Sequence, residues 1–349
     1  MNILVTGRYE PGYNRNRVLL NGLRAKGVNL TESPYDRKKE WDPAGFLQKT
    51  DHFDLVFLPA FTHYDVRFIK KRTGLPLVFD PLISRYLSKV FDYKKVQPYS
   101  PRALKNFLKD KRSMEAADVV LADTHAHRDY YMKKIGINPE KIVVVPVGVD
   151  TREYQPVPGK PDHRQITVGF YGSFIPLHGI AKIVETAVLL KNQRHIRFEL
   201  IGDGVGFDRV RAHIRSSDPG NITLTGRVPP EELPERIGGF DLCLGIFGDS
   251  LKARLVIPNK IYHYCAMGKP VITMDSPAIR EVFTPGTDLF TTTNTPHGMA
   301  TMIMERIGDA SGTERAADAG MRLIRKHYNE KAIADYFLRA AQIALSGSR

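Results

Sequence analysis

Short apolar runs closed by Gly, Asp or a polar loop alternate along this chain with segments whose apolar positions repeat every three to four residues. NILVTG opens the pattern as a strand. Beyond the polar loop RYEPGYNRN, Val18, Leu19, Leu20 and Leu23 fall at helical spacing, and Gly27 stops the segment. FDLVFLPAF, residues 53–61, is the next strand, followed by the helix VRFIKKRTG and the strand LPLVFD ending at Asp80. ISRYLSKVFDYKKVQPYSP is looser, amphipathic, basic and aromatic. SPRALKNFLKDKRSMEAAD predicts a helix with Ser100 as cap and Pro101 at its first position. ADVVLADT is a strand, HAHRDYYMKKIG a helix, and KIVVVPVGVD a further strand.

The stretch YQPVPGKPDHRQ, residues 154–165, breaks the alternation with prolines, glycine and charge, as a linker does. The pattern then restarts. ITVGFYGSF, IRFELIGDG, ITLTGRV and FDLCLGIF predict strands, separated by the helices IAKIVETAVLLKNQ, GFDRVRAHIRSS and PPEELPERIGG. MATMIMERIGDA and GTERAADAGMRLIRKHY are helical, and the closing EKAIADYFLRAAQIAL is amphipathic with no strand after it. Alternation of this kind implies two α/β domains, each a parallel sheet covered on both faces. The boundaries read from it are 1–155, a linker at 156–165, 166–325, and a final helix at 326–349. Ligands of such sheets bind at the carboxyl ends of the strands. Two hinged domains then face each other across a cleft suited to two substrates.

One stretch, Ile246 to Glu281, concentrates the chemistry. The strand FDLCLGIF leads into a polar loop carrying Lys252 and Arg254. Pro258 stands as the first residue of the helix PNKIYHYCAM, which Gly268 ends before the strand PVITM. A helix start flanked by two cations is a place for an anion.

Charge sharpens this picture. The net charge is +13 over 349 residues, and up to Lys160 there are 28 Lys/Arg against 18 Asp/Glu. A basic first half attracts nucleic acid, anionic lipid or a phosphorylated substrate, or it is a solubilising surface. No apolar run approaches the roughly 18 residues of a membrane span, and the start MNILVTGRYEPGYN lacks a signal-peptide pattern. Cys243 and Cys265 lie in apolar runs and read as reduced core residues of a cytoplasmic protein.

The blocks VGFYGSFIPLHGI, FELIGDG, ITLTGRV with PPEELPERIGGFDLCL, and IPNKIYHYCAMGKPVITMDSPAIREV stand in register over residues 166–285. They resemble the donor domain of a retaining GT-B glycosyltransferase of the GT4 type. The first half resembles the same family more loosely, through PVGVD and its Rossmann-like order. The closing helix resembles the one that crosses back onto the N-terminal domain. The resemblance implies metal-independent transfer of a sugar from a nucleotide-sugar to a glycan or lipid-linked acceptor, with retention at the anomeric carbon. It implies no cofactor beyond that co-substrate, and a place in surface polysaccharide or glycolipid assembly. The sequence holds no Asp-x-Asp pair.

Where the family has Arg and Lys on its first donor-domain loop, this chain has Ser173 and His178. At the positions of two family glutamates stand Leu255 and His263. Lys252 and Arg254 are therefore expected to hold the leaving diphosphate, where negative charge develops. Lys260 either points at the same anion or lies on the helix surface. His178 is expected to bond phosphate or sugar, and His263 either accepts from ribose hydroxyls or packs in the helix. Gly172, Gly179, Gly202 and Asp203 belong to loops where backbone approaches the donor. Arg227 and Val228 follow the ITLTG strand near the implied nucleobase contacts, and Glu281 lies near the sugar or the next helix start. On the acceptor side His63, Asp80 and His125 follow strands as catalytic candidates. The pair His125 and His127 has no third ligand nearby, so no metal is expected.

The basic, aromatic stretch from Lys89 to Arg112 suits an anionic membrane surface better than nucleic acid, because its aromatics follow helical spacing. The expected location is cytoplasmic, with peripheral contact at the inner face of the membrane. Two other readings stand beside the transferase: a non-catalytic GT-B subunit that binds a nucleotide-sugar, and a nucleotide-sugar 2-epimerase of similar shape.

Overall fold

The computed structural model describes residues 1–34, 52–157 and 165–347. The chain divides into two compact units, Met1–Asp150 with the segment from Tyr328 onward, and Thr151–His327.

The first unit is built on a six-stranded parallel sheet in the order β2-β1-β3-β4-β5-β6. The strands are β1 Asn2–Gly7, β2 Asn29–Pro34, β3 Leu55–Leu58, β4 Leu77–Phe79, β5 Val119–Ala122 and β6 Ile142–Val144. The central strands LVFL, LVF and VVLA are buried throughout, as strands covered by helices on both faces must be. The edge strand NLTESP was not predicted. Its one large apolar residue, Leu30, gives no periodic signal, and backbone pairing to β1 (Ile3 opposite Leu30) holds it in place.

The closing helix, Glu330–Ser346, belongs to this unit. Ile333, Ala334, Phe337, Ala340, Ala341 and Ala344 form its buried stripe, at the helical repeat that the sequence displays. Phe337 meets Phe57 of β3 edge-on, with ring centres 4.8 Å apart. Gly22 on the helix Asn14–Ala25 lets the two helices touch, since a Cβ there would lie 1.9 Å from the Glu330 carbonyl oxygen.

The second unit carries another six-stranded parallel sheet, β12-β11-β10-β7-β8-β9. Its strands are β7 Ile166–Tyr171, β8 Ile196–Ile201, β9 Ile222–Gly226, β10 Leu242–Leu244, β11 Val271–Met274 and β12 Phe290–Thr292. Cys243 and Cys265 are buried, unbridged thiols.

Three local details depart from the sequence reading. Pro258 is the cap of the helix Asn259–Ala266, one position before its first turn. The loop that carries Lys252 and Arg254 folds into a short helix, Leu251–Leu255, capped by Ser250. Tyr154, read as linker, is buried with its ring stacked 3.6 Å from that of His263, and Val157 packs where Gly238 leaves room. Residues 158–164 of the predicted linker lie outside the described residues.

Candidate active site

In the second unit two loops leave the carboxyl ends of β7 and β8 and lock together. Gly172 N–H donates to the Ile201 carbonyl at 2.9 Å, and Phe174 N–H to the Asp203 carbonyl at 2.8 Å. Gly202, at φ +141°, passes so close that a Cβ would sit 2.0 Å from the Gly172 oxygen. Gly172 itself has φ +143°, a conformation that side chains rarely adopt. Asp203 and Ser173 are exposed, and the Asp203 carboxylate caps its own turn by accepting from Gly204 N–H at 2.6 Å.

Lys260 comes to this loop from the first turn of the helix Asn259–Ala266. It is buried at 3 % exposure, and a Cβ on Gly172 would meet its Nζ at 2.8 Å. Nζ stands 4.2 Å from the centre of the Phe170 ring and has no hydrogen-bond acceptor among the described residues. Burial holds the amine well below its ordinary pKa. His178 packs against the other side of Phe170, ring centres 5.6 Å apart. Its Nδ1 faces the Ser173 carbonyl, so that nitrogen carries the proton and Nε2 of the neutral ring accepts. Burial first, then the charge of Lys260 and of Lys252, keeps this ring neutral. Gly179, at φ +65°, lets the loop turn against Phe247, and Phe247 N–H donates to the His178 carbonyl at 3.2 Å.

The structure thus brings Lys260 and His178 to the Gly172 loop, and the charge of Lys252 acts on His178. Lys252 is buried, whereas Arg254 on the same short helix is exposed. The pair expected from the sequence is therefore divided, and Lys260 takes the central place. His263 is buried, its Nδ1 lies 2.5 Å from the Tyr171 hydroxyl, and its ring stacks on Tyr154. Leu255 is buried. Arg227 and Glu281 are exposed, and Val228 is half-buried beyond β9.

In the first unit His63 and Asp80 follow β3 and β4 as expected, and both are buried. Asp80 accepts from Arg15 Nε at 2.8 Å and from Leu82 N–H at 2.7 Å. Arg15, 1 % exposed, also donates to the Pro146 carbonyl, and its remaining terminal nitrogen is unsatisfied among the described residues. Burial and the neighbouring Asp80 push Tyr13 up to about 12. His63 Nε2 is 3.5 Å from Asp110 Oδ1. His125 is exposed at the start of the helix His125–Tyr130. Its neighbour His127 is buried instead, with Nδ1 2.7 Å from Asp123 Oδ1. Among the described residues no group of three His, Cys, Asp or Glu stands where it could hold a metal. Sequence reading missed the Asp123–His127 pair, although its spacing of four across the cap Thr124 was a usable signal. No sequence signal marked Arg15. No helix among the described residues is long and apolar enough to cross a membrane.

Comparison with known proteins agrees with both halves. The sequence model of Glycosyltransferase Family 4 matches residues 10–153, and that of Glycosyl transferases group 1 matches residues 165–309. A D-inositol 3-phosphate glycosyltransferase of Kineococcus radiotolerans is 26% identical over 202 residues, covering 55% of this chain and 42% of that protein. The chain spans less than half the length of the curated relatives it matches. Among solved structures, HepE of Anabaena in complex with UDP and glucose superposes with TM-score 0.76 at 14% identity, over 98% of this chain and 99% of that one. Sucrose-phosphate synthase of Thermosynechococcus elongatus superposes with TM-score 0.78 at 13% identity, over 99% and 100%. The chain belongs to the GT-B glycosyltransferases, with a family 4 N-terminal half and a group 1 C-terminal half.

Proposed function

We infer that this protein transfers a sugar, with retention, from a nucleotide-sugar to a glycan or lipid-linked acceptor in surface polysaccharide or glycolipid assembly. The observation that carries the donor half is buried Lys260, aimed at the Gly172 loop with no acceptor among the described residues. A buried amine in that position has no counter-anion among the described residues, and a donor diphosphate supplies one. Lys260, with Lys252 close enough for its charge to act on His178, takes the part that Arg and Lys play on the family's first loop. Negative charge grows on the leaving phosphate as the glycosidic bond breaks, so a cation there binds the transition state more tightly than the ground state. Neutral His178 offers an acceptor nitrogen, which suits a sugar hydroxyl better than a phosphate oxygen.

Anabaena HepE has been solved with UDP and with UDP-glucose, which supports a uridine donor as the first candidate. Retention rests on the family. The acceptor is assigned to the carboxyl edge of the first sheet, around Asp80, His63 and the Asp123–His127 pair, with peripheral contact to an anionic membrane through the basic residues from Lys89 to Arg112.

A thermal-shift screen of UDP-, GDP-, ADP- and dTDP-sugars tests the donor. A donor that binds only the folded protein raises its melting temperature with concentration. Turnover of that donor with an acceptor panel then separates a transferase from a binding subunit. No shift with any of the four sinks the reading.

A further inference from the structure

The loops after β3 and β4 and the helix Pro101–Ala116 line a pocket of about 680 Å³ in the first unit. The helix contributes Arg102, Lys105, Lys109 and Arg112, spaced three and four apart and so sharing one stripe. Arg67, Arg85 and Lys89 complete the wall, and among the described residues no Asp or Glu lines it. The nearest acidic groups are otherwise engaged. Asp110 turns inward and accepts from Ser84 Oγ at 2.7 Å, Tyr86 N–H at 2.9 Å and Arg85 N–H at 3.1 Å. Glu115 lines an adjoining hollow with Arg67 and Arg112 and lies 3.8 Å from Lys111.

Like charges at this spacing repel one another and weaken the helix that carries them. Here they are also drawn together. Tyr64 gathers two of them, with Lys109 Nζ 4.2 Å and Arg85 Cζ 4.7 Å from its ring centre, and Arg85 donates to its hydroxyl at 2.9 Å. Arg85 is therefore aimed by contacts at both ends, its backbone by Asp110 and its guanidinium by Tyr64. Lys89 feels the crowding, since burial and then Arg85 lower its pKa. Leu104, Leu108 and Val96 line the same pocket, and Leu104 is 56% exposed. A concave, cationic wall with apolar patches fits a ligand that has a compact multiple anion and a less polar body. Arginine planes grip phosphate oxygens two at a time, and lysines add point charge.

We propose that this pocket binds the phosphate or diphosphate group of the sugar acceptor. Only the word acceptor rests on the transferase reading; the anion site stands on its own lining.

The test uses inorganic pyrophosphate titrated by calorimetry into the full chain held saturated with UDP, so that the donor site is filled. A second arm sediments the protein with phosphatidylglycerol vesicles. Both arms compare wild type with the double variant Lys105→Ala and Arg112→Ala, and with the milder Lys105→Gln and Arg112→Gln, whose melting curves are checked first. Pyrophosphate binding that survives UDP and weakens at least tenfold in the double variants supports a phosphate on a soluble acceptor. Loss confined to the vesicle arm supports the same site with the phosphate on a lipid headgroup. Binding unchanged in both arms by folded variants overturns the proposal. UDP affinity in the same samples reports the donor site separately, so failure of the transferase reading leaves a different mark.

Discussion

Lys260 Nζ lies 4.2 Å from the centre of the Phe170 ring, buried, with no hydrogen-bond acceptor among the described residues. The ring face offers the ammonium a favourable contact, and that contact is weaker than an ion pair. Desolvation opposes the charge. On the proposed function, the residue is therefore expected to lower the stability of the free protein and to strengthen binding of an anion. Lys260→Met, close in volume and apolar, is expected to leave the melting temperature unchanged or higher. The same variant should weaken UDP binding by at least tenfold, as loss of a hydrogen bond to a charged group of about 1.5–3 kcal/mol implies. Equal UDP affinity in the variant removes Lys260 from the donor site.

Proton uptake gives a second view of this lysine. Its folded pKa lies well below 10.5 because burial disfavours the charge. A diphosphate brought to Nζ favours the charged form and raises that pKa again. Between the depressed value and 10.5, binding of UDP should therefore take up a proton. Calorimetry in two buffers of different ionisation enthalpy measures it, and Lys260→Met should abolish the uptake.

The buried pair Arg15–Asp80, 2.8 Å apart, makes a prediction about stability. Asp80→Ala strands a guanidinium in the interior and should cost about 3–5 kcal/mol. Replacing both partners, Arg15→Met with Asp80→Leu, removes the stranded charge and should cost less than Asp80→Ala alone. Urea unfolding monitored on the first unit distinguishes the two. Equal losses mean that Arg15 is satisfied by other groups.

His63 and Asp110, 3.5 Å apart, set opposing pH dependences. Burial lowers His63 from 6.5 to about 3, so the unfolded chain binds the extra proton between those values. Stability from His63 is complete above 6.5 and is lost as pH falls. Burial raises Asp110 from 3.8 to about 6, so the folded chain binds the extra proton there. Stability from protonated Asp110 is complete below 3.8 and is lost as pH rises through 6. The two slopes oppose each other between pH 4 and 6, on the order of one proton each. In His63→Leu the folded protein should therefore gain stability, relative to wild type, as pH is lowered from 6 to 4. Melting temperatures across that range read the difference, and parallel profiles for the two proteins would falsify the assignment.

Much of this was written in local pattern. The central strands appear in the sequence because a strand covered on both faces must be apolar throughout, as LVFL and VVLA are. The helix at Pro101 appears because Ser100 accepts from Ala103 N–H and Pro101 has no N–H to lose. The amphipathic stripe of the closing helix is equally visible, and so are the glycines at 172, 179 and 202. The polar edge strand β2 was not visible, because pairing along one edge makes no demand on its side chains. Nor was Arg15, whose partners Asp80 and Pro146 lie 65 and 131 residues away.

The sequence by itself determined two parallel α/β units and a basic first half, since these follow from periodicity, turn residues and charge. Tertiary structure alone decided which cation lies against the Gly172 loop. Lys252, Arg254 and Lys260 are alike as sequence, each a cation near a helix start. Packing then leaves Arg254 in solvent and brings Lys260 onto Phe170 and Gly172. The direction of a side chain depends on what the helix is pressed against, and that information lies in residues 88 and 90 positions away.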